Sequence, residues 1–139
     1  MSDVKKQAPD LVAELKEKEK NEPIASFLKM KLMELKPGYA RVTMKITPAH
    51  RTFNGMVFGG MVMALADQAF AYATNSLVKP SIATQFNIHL ISGAKAGDTL
   101  TAEGRVIKSG RRIGVTEMTV TDQDGKLIAK ATGTTVVTS

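Results

Sequence analysis

Cysteine is absent from all 139 residues, which rules out disulfides, thiolate nucleophiles and Cys-ligated metals. Tryptophan is also absent, and aromatic residues make up only 5% of the chain. With no arginine-rich run either, the chain lacks the material for a base-stacking platform, so no nucleic-acid partner is expected. The two histidines, His50 and His89, have neither HxH nor HxxE spacing. No metal site is expected. They read as a loop and a strand residue without catalytic duty. No apolar run reaches a membrane span, because Asp67 and polar residues interrupt the one candidate. The stretch MSDVKKQAPDLVAELKEKEK lacks the apolar centre of a signal peptide, so the expectation is a cytoplasmic protein with no membrane partner.

What remains is ordinary globular material. An apolar content of 43% with mixed charges suits one domain with a real core. The net charge of +6, with a pI near 9.7, favours an anionic partner. Given the missing aromatics, a small phosphorylated ligand fits that charge best.

Residues 10–20 (DLVAELKEKEK) predict a short charged helix opened by Pro9 and Asp10, with Leu11, Val12 and Leu15 on one face and Glu14–Lys18 at i,i+4. It reads as an appendage on the main fold or a frayed leader. From Ser26 the pattern changes to strands. FLKMKLMEL alternates, Lys36-Pro37-Gly38 turns, and YARVTMKIT alternates again, predicting a hairpin. A loop, PAHRTFNGMVFGG, leads into an apolar helix from about Gly59 to Ser76. After Pro80 four further segments read as three or four antiparallel strands: SIATQFNIHLIS, TLTAEGRVIK, RIGVTEMTVTD and LIAKATGTTVV. One antiparallel sheet wrapped around one central helix is the economical α+β arrangement.

Between Arg51 and Lys79 the chain carries a single charge, Asp67, inside GGMVMALADQAFAYATNS. A helix apolar on nearly every face is normally swallowed by the fold. A carboxylate there must be paired, hydrogen-bonded or used, and no Lys or Arg lies within two turns. Asp67 is therefore either a structural carboxylate bonded to amides or a hydroxyl, or the working group of an active site. Gly59 and Gly60 either start a crowded helix or let a substrate carbonyl approach the unpaired N–H groups of its amino terminus.

The stretch from Thr52 to Ser76 resembles the hotdog-fold acyl-CoA thioesterases, in particular the phenylacetate-degradation branch. Their pattern, N-x-x-G-x-x-H-G-G with an acid eight residues after the first of the paired glycines, is met at Gly55, Gly59, Gly60 and Asp67. LADQAFAYATNS, residues 65–76, is close to a signature of that branch. Two positions depart from the pattern: Thr52 stands where the family has Asn, and Phe58 where it has His, although related thioesterases also carry Phe there. Asn54 lies two residues out of register.

The resemblance implies a hotdog domain over residues 26–139 behind a helical leader, 1–25. It implies thioester hydrolysis with coenzyme A as part of the substrate and no other cofactor. Asp67 would be general base or nucleophile, the Gly59 amide would polarise the carbonyl, and Thr52 would do a weaker version of the Asn role. Asn54, Phe58 and Gly60 would line the substrate. Gln68 and Thr84 are possible helpers, with Gln85 beside them, though all three also read as structural.

Gly59 and Asp67 are eight residues apart, hence about 12 Å along one helix and about 80° apart in direction. Both cannot reach one carbonyl. If Asp67 acts, Gly59 of one subunit must meet Asp67 of another across a two-fold axis. This agrees with the resemblance, which implies a homodimer or a dimer of dimers. Lys108, Arg111 and Arg112 flank the turn in KSGRR, either as solvated charges or, as in hotdog thioesterases, against coenzyme A phosphates. Met56, Met61 and Met63 suit a pocket for a variable acyl chain or, equally, a packed core. The rival reading is a hotdog protein that binds acyl-CoA or a fatty acyl group without hydrolysing it. A dehydratase would want His five residues after Asp67, where Tyr72 stands.

Overall fold

Periodicity decides the layers of the computed structural model, which describes residues 7–138. Two short helices, α1 (Ala8–Glu19) and α2 (Pro23–Leu28), precede a hairpin of β1 (Lys31–Lys36) and β2 (Tyr39–Lys45). A single 3-10 turn, Pro48–His50, and a loop lead to the long helix α3 (Gly59–Asn75). The chain then runs through β3 (Ser81–Leu90), β4 (Thr99–Ser109), β5 (Ile113–Thr121) and β6 (Leu127–Val137). All six strands form one sheet in the order β1-β2-β4-β5-β6-β3, each neighbouring pair antiparallel.

Strand alternation sends Val42, Met44, Leu100, Ala102, Met118, Val120, Ala129 and Ala131 to the concave face, all buried. From α3 they receive Val62, Leu65, Ala66, Ala69 and Phe70. Two glycines set how deeply the helix sinks. A Cβ on Gly104 of β4 would stand 2.7 Å from the Ala69 carbonyl oxygen, and one on Gly133 of β6 would stand 2.4 Å from the Phe70 ring. Backbone and ring occupy the space any side chain would need.

The strand expected from Phe27 begins later. Pro23 opens a helical turn, for which its fixed φ is pre-set. Lys29, at φ 56°, closes it in the left-handed region, and the Met30 N–H donates to the Ala25 carbonyl at 2.8 Å. The alternation of FLKMKL therefore applies only from Lys31 onward. Of the two expectations for the leader, the appendage lying on the main fold holds and the frayed segment does not: Leu11 is buried, and Val12 and Leu15 pack against Leu35, Tyr72 and Ala73. Expectations for residues 1–6 and 139 lie outside the described residues.

Candidate active site

The amino end of α3 is built by a loop that bonds to itself. The His50 Nδ1 accepts the Thr47 N–H at 3.1 Å, and the His50 carbonyl accepts the Phe58 N–H at 2.9 Å. Arg51 and Val57 form an isolated antiparallel bridge. Inside it the Thr52 N–H donates to the Met56 carbonyl at 2.6 Å, and Gly55 turns the chain at φ 81°. The Asn54 side-chain oxygen accepts from the Thr52 hydroxyl and from the Met56 N–H. Thr52 and Asn54 are thus joined, although they are two residues apart in the motif.

This loop delivers Phe58 as the residue preceding α3, and no side chain caps the helix behind it. The Met61 N–H turns back to the Phe58 carbonyl at 2.9 Å. The N–H groups of the first turn therefore carry the positive end of the helix dipole with no side-chain acceptor. The Phe58 ring lies over Gly60, where a Cβ would approach it to 2.5 Å, and a Cβ on Gly59 would come within 2.9 Å of a Leu90 methyl. Beside this end opens a cavity of about 460 Å³, lined by Phe27, Leu28, Arg51, Thr52, Phe58 and Met61 among others.

Asp67 lies on the same helix, as the spacing requires, but not where an all-apolar helix predicts. It is exposed in the single chain, on a stripe with Met63 and Ala71. The expectation of a swallowed helix fails on this one face, because the sheet covers the opposite side and nothing in one chain covers the stripe. No hydrogen bond or ion pair holds Asp67 among the described residues. The apolar neighbours on its own helix still desolvate it enough to push its carboxyl above the usual range.

The remaining candidates disperse. Gln68, one residue on and therefore about 100° round the helix, is buried and gives its amide to Glu22, which also accepts from Tyr72 at 3.1 Å. Thr84 is the extra residue of a β-bulge in β3, between the pairs Ala83–Thr135 and Gln85–Thr134. Bulges commonly re-aim a side chain beside a site. Lys108, Arg111 and Arg112 are exposed around the β4–β5 turn. That turn abuts the carboxyl end of α3, since Lys108, Ser109 and Gly110 share a cleft with Thr74, Leu77 and Val78.

Sequence reasoning missed Phe27 as a wall of the larger cavity and Glu22 as the latch of the leader. Pro23, a helix-opening residue, was the signal that could have revealed both.

The family model described as the thioesterase superfamily matches residues 54–129. The chain belongs to the thioesterase superfamily. Its relatives agree. The acyl-coenzyme A thioesterase PaaI of Escherichia coli is 34% identical over 109 residues, 78% of each chain. A putative esterase of Archaeoglobus fulgidus is 35% identical over 83% of this chain and 75% of its own. The structure of the E. coli PaaI protein, from the phenylacetic acid degradation operon, superposes with a TM-score of 0.90 at 28% identity, covering 96% of this chain and 97% of that one. A Streptococcus mutans structure bound to acetyl-CoA has a TM-score of 0.76 at 30% identity, covering 79% and 89%. The fold is the hotdog fold, and the family's chemistry is thioester hydrolysis. No helix among the described residues is long and apolar enough to cross a membrane.

Proposed function

We propose that the protein hydrolyses acyl-CoA thioesters at two sites shared by a homodimer. The observation that carries this reading is the pairing on one helix of an uncapped Gly59–Gly60 amino terminus with an exposed carboxylate, Asp67, held above its usual pKa. The likeness to the E. coli acyl-CoA thioesterase and to the acetyl-CoA-bound structure supports the substrate class.

A two-fold axis passing Met63 would set each Gly59 opposite the Asp67 of the partner. The uncovered stripe of Met63, Asp67 and Ala71 supports such a contact. So does β3, an edge strand of ten residues with no internal proline or Lys, whose unpaired backbone is a template for a second copy. A dimer alone and a dimer of dimers both satisfy the site.

In this arrangement the Gly59 N–H donates to the thioester carbonyl oxygen and stabilises the oxyanion that develops there. Asp67 acts in one of two ways. As a general base it takes a proton from water while the water oxygen bonds to the carbonyl carbon. The C–S bond then breaks, and the thiolate of coenzyme A leaves with that proton. As a nucleophile it forms a mixed anhydride that water opens. Gly60 keeps the approach open, and Thr52, Asn54 and Phe58 border the acyl side. Thr84, re-aimed by its bulge, is the helper on β3, while Gln68, bonded to Glu22, steadies the helix that carries Asp67. The β4–β5 turn lies about 13 Å beyond Asp67 along α3, and in this reading its exposed Lys108, Arg111 and Arg112 meet the phosphates of coenzyme A.

One observation favours binding without turnover: the Thr52 hydroxyl, standing where the family has Asn, is bonded to Asn54. Coenzyme A release from aryl- and straight-chain acyl-CoAs, read with a thiol reagent, decides between the readings. Release that disappears in Asp67→Ala while binding persists supports the thioesterase. Tight binding with no release in the wild type replaces it with a carrier or sensor.

A further inference from the structure

The cavity at the amino end of α3 is roughly a drug-sized chamber, about 460 Å³, and its chemistry is narrower than its lining implies. Most of its polar atoms are already engaged, the outer nitrogens of the exposed Arg51 guanidinium excepted. The His50 Nδ1 accepts the Thr47 N–H, the Arg51 Nε donates to the Pro48 carbonyl at 3.2 Å, and the Thr52 hydroxyl donates to Asn54. What remains is apolar: Phe27 and Leu28 from α2, Phe58, and Met61 from the first turn of α3. Phe27 is 79% exposed and Phe58 55%, far more than free-standing rings of a finished core would be. By contrast, the cavity of about 390 Å³ between the leader and α3 is lined by Lys18, Asn21, Glu22 and Asn75. An apolar group entering it would desolvate a carboxylate and two amides.

We infer that the cavity bounded by Phe27, Leu28, Phe58 and Met61 is the chamber for the acyl group, and that it selects apolar acyl groups larger than acetyl. The inference rests on the reading above, in which a thioester carbonyl sits at the Gly59 N–H, because Phe58 precedes Gly59 and Met61 belongs to the same first turn of α3, and both line the cavity. It assigns α2 a function. Pro23 and the left-handed Lys29 hold Phe27 across the mouth of the chamber, so the helix between leader and sheet sets which acyl groups fit. The flexible Met61 thioether lets the floor adapt to different shapes.

The test compares acetyl-, butyryl-, hexanoyl- and phenylacetyl-CoA in the wild type, Phe27→Ala and Met61→Trp. Binding of the matching S-alkyl thioethers of coenzyme A is measured in parallel by calorimetry. In the wild type kcat/KM rises about fourfold per added methylene until the chamber is full. Phe27→Ala, at an exposed position, flattens that rise. Met61→Trp cuts the hexanoyl-to-acetyl ratio at least about tenfold. The thioethers follow the same order in affinity. Turnover with an acyl profile identical in all three proteins overturns the chamber and leaves the thioesterase standing. No turnover of any acyl-CoA, with thioether affinities that still rise with chain length and lose that rise in the variants, sinks the thioesterase and keeps the chamber. Thioether affinities independent of chain length overturn the chamber in either case.

Discussion

The two ends of α3 are built on opposite principles. At the carboxyl end every polar side chain is spent. The Thr74 hydroxyl donates to the Phe70 carbonyl at 3.0 Å, and Asn75 donates to the carbonyls of Ala71 and Ser81 while accepting the Ser81 N–H. Ser76, fully buried, donates to the Ala73 carbonyl at 2.6 Å and accepts the Gly38 N–H at 2.8 Å, tying the helix to the β1–β2 turn. At the amino end no side chain caps the helix, although Thr52 and Asn54 lie a few residues away and bond to each other instead. The helix is anchored at one end, and the N–H groups at the other have no side-chain acceptor. On the proposed reading these half-buried donors are what a developing oxyanion meets.

The sharpest way to break the contrast is to remove the chemistry without touching the anchor. Asp67→Ala should lower kcat about a thousandfold, within the span of positioned proton-transfer groups, and leave the far-ultraviolet spectrum unchanged. Steady-state coenzyme A release measures it. A loss below tenfold would mean that Asp67 is not the working group.

Next in size is Gly59→Pro. Proline suits the first position of a helix and has no N–H, so it deletes the donor and keeps the helix. The expected fall is about a hundredfold in kcat, the scale of one oxyanion donor. An intact kcat would move the oxyanion site elsewhere. The converse test is Ser76→Ala at the anchored end. It leaves the Gly38 N–H unsatisfied and should cost about 1–3 kcal/mol in urea unfolding, with kcat of the folded protein retained. A large drop in kcat without a stability loss would mean that the ends are not separable.

How much of this was legible in the sequence follows the same division. The long helix, the later strands and the turn at Gly38 announced themselves through period and turn chemistry, which are local. The pairing of Gly59 with Asp67 on one helix could be reasoned to a shared site, because helix geometry converts spacing into distance. The exposure of Asp67 could not be read, since an apolar helix looks the same whether its last face is covered by its own sheet or by another chain. The helix α2 was misread because FLKMKL alternates as a strand does; Pro23 and the left-handed Lys29 overrode that alternation. The bond between Thr52 and Asn54 was likewise invisible, because the tight turn at Gly55 folds the second residue back on the first.

The smallest effect concerns the carboxylate itself, and it separates function from stability. Desolvation raises the Asp67 carboxyl above its unfolded value of 3.8, so the folded chain binds a proton more tightly than the unfolded one. A group shifted this way stabilises the fold fully below its unfolded pKa, and that contribution is lost as pH rises through the folded pKa. At neutral pH the ionised Asp67 is therefore a burden on the fold. Asp67→Asn, which keeps the shape and removes the charge, should raise Tm slightly near pH 7 and make no such gain near pH 3. Activity runs the other way, because base or nucleophile must be ionised. The acid limb of kcat/KM should lie above the range of an ordinary carboxylate, and dimerisation, which covers the stripe further, should shift it higher still. A melt series of both proteins across pH 3–8, beside the wild-type pH–rate profile, measures the two together. An Asp67→Asn protein that melts lower at pH 7 would show that the carboxylate is held by favourable contacts, and that the stripe is not the strained face this reading requires.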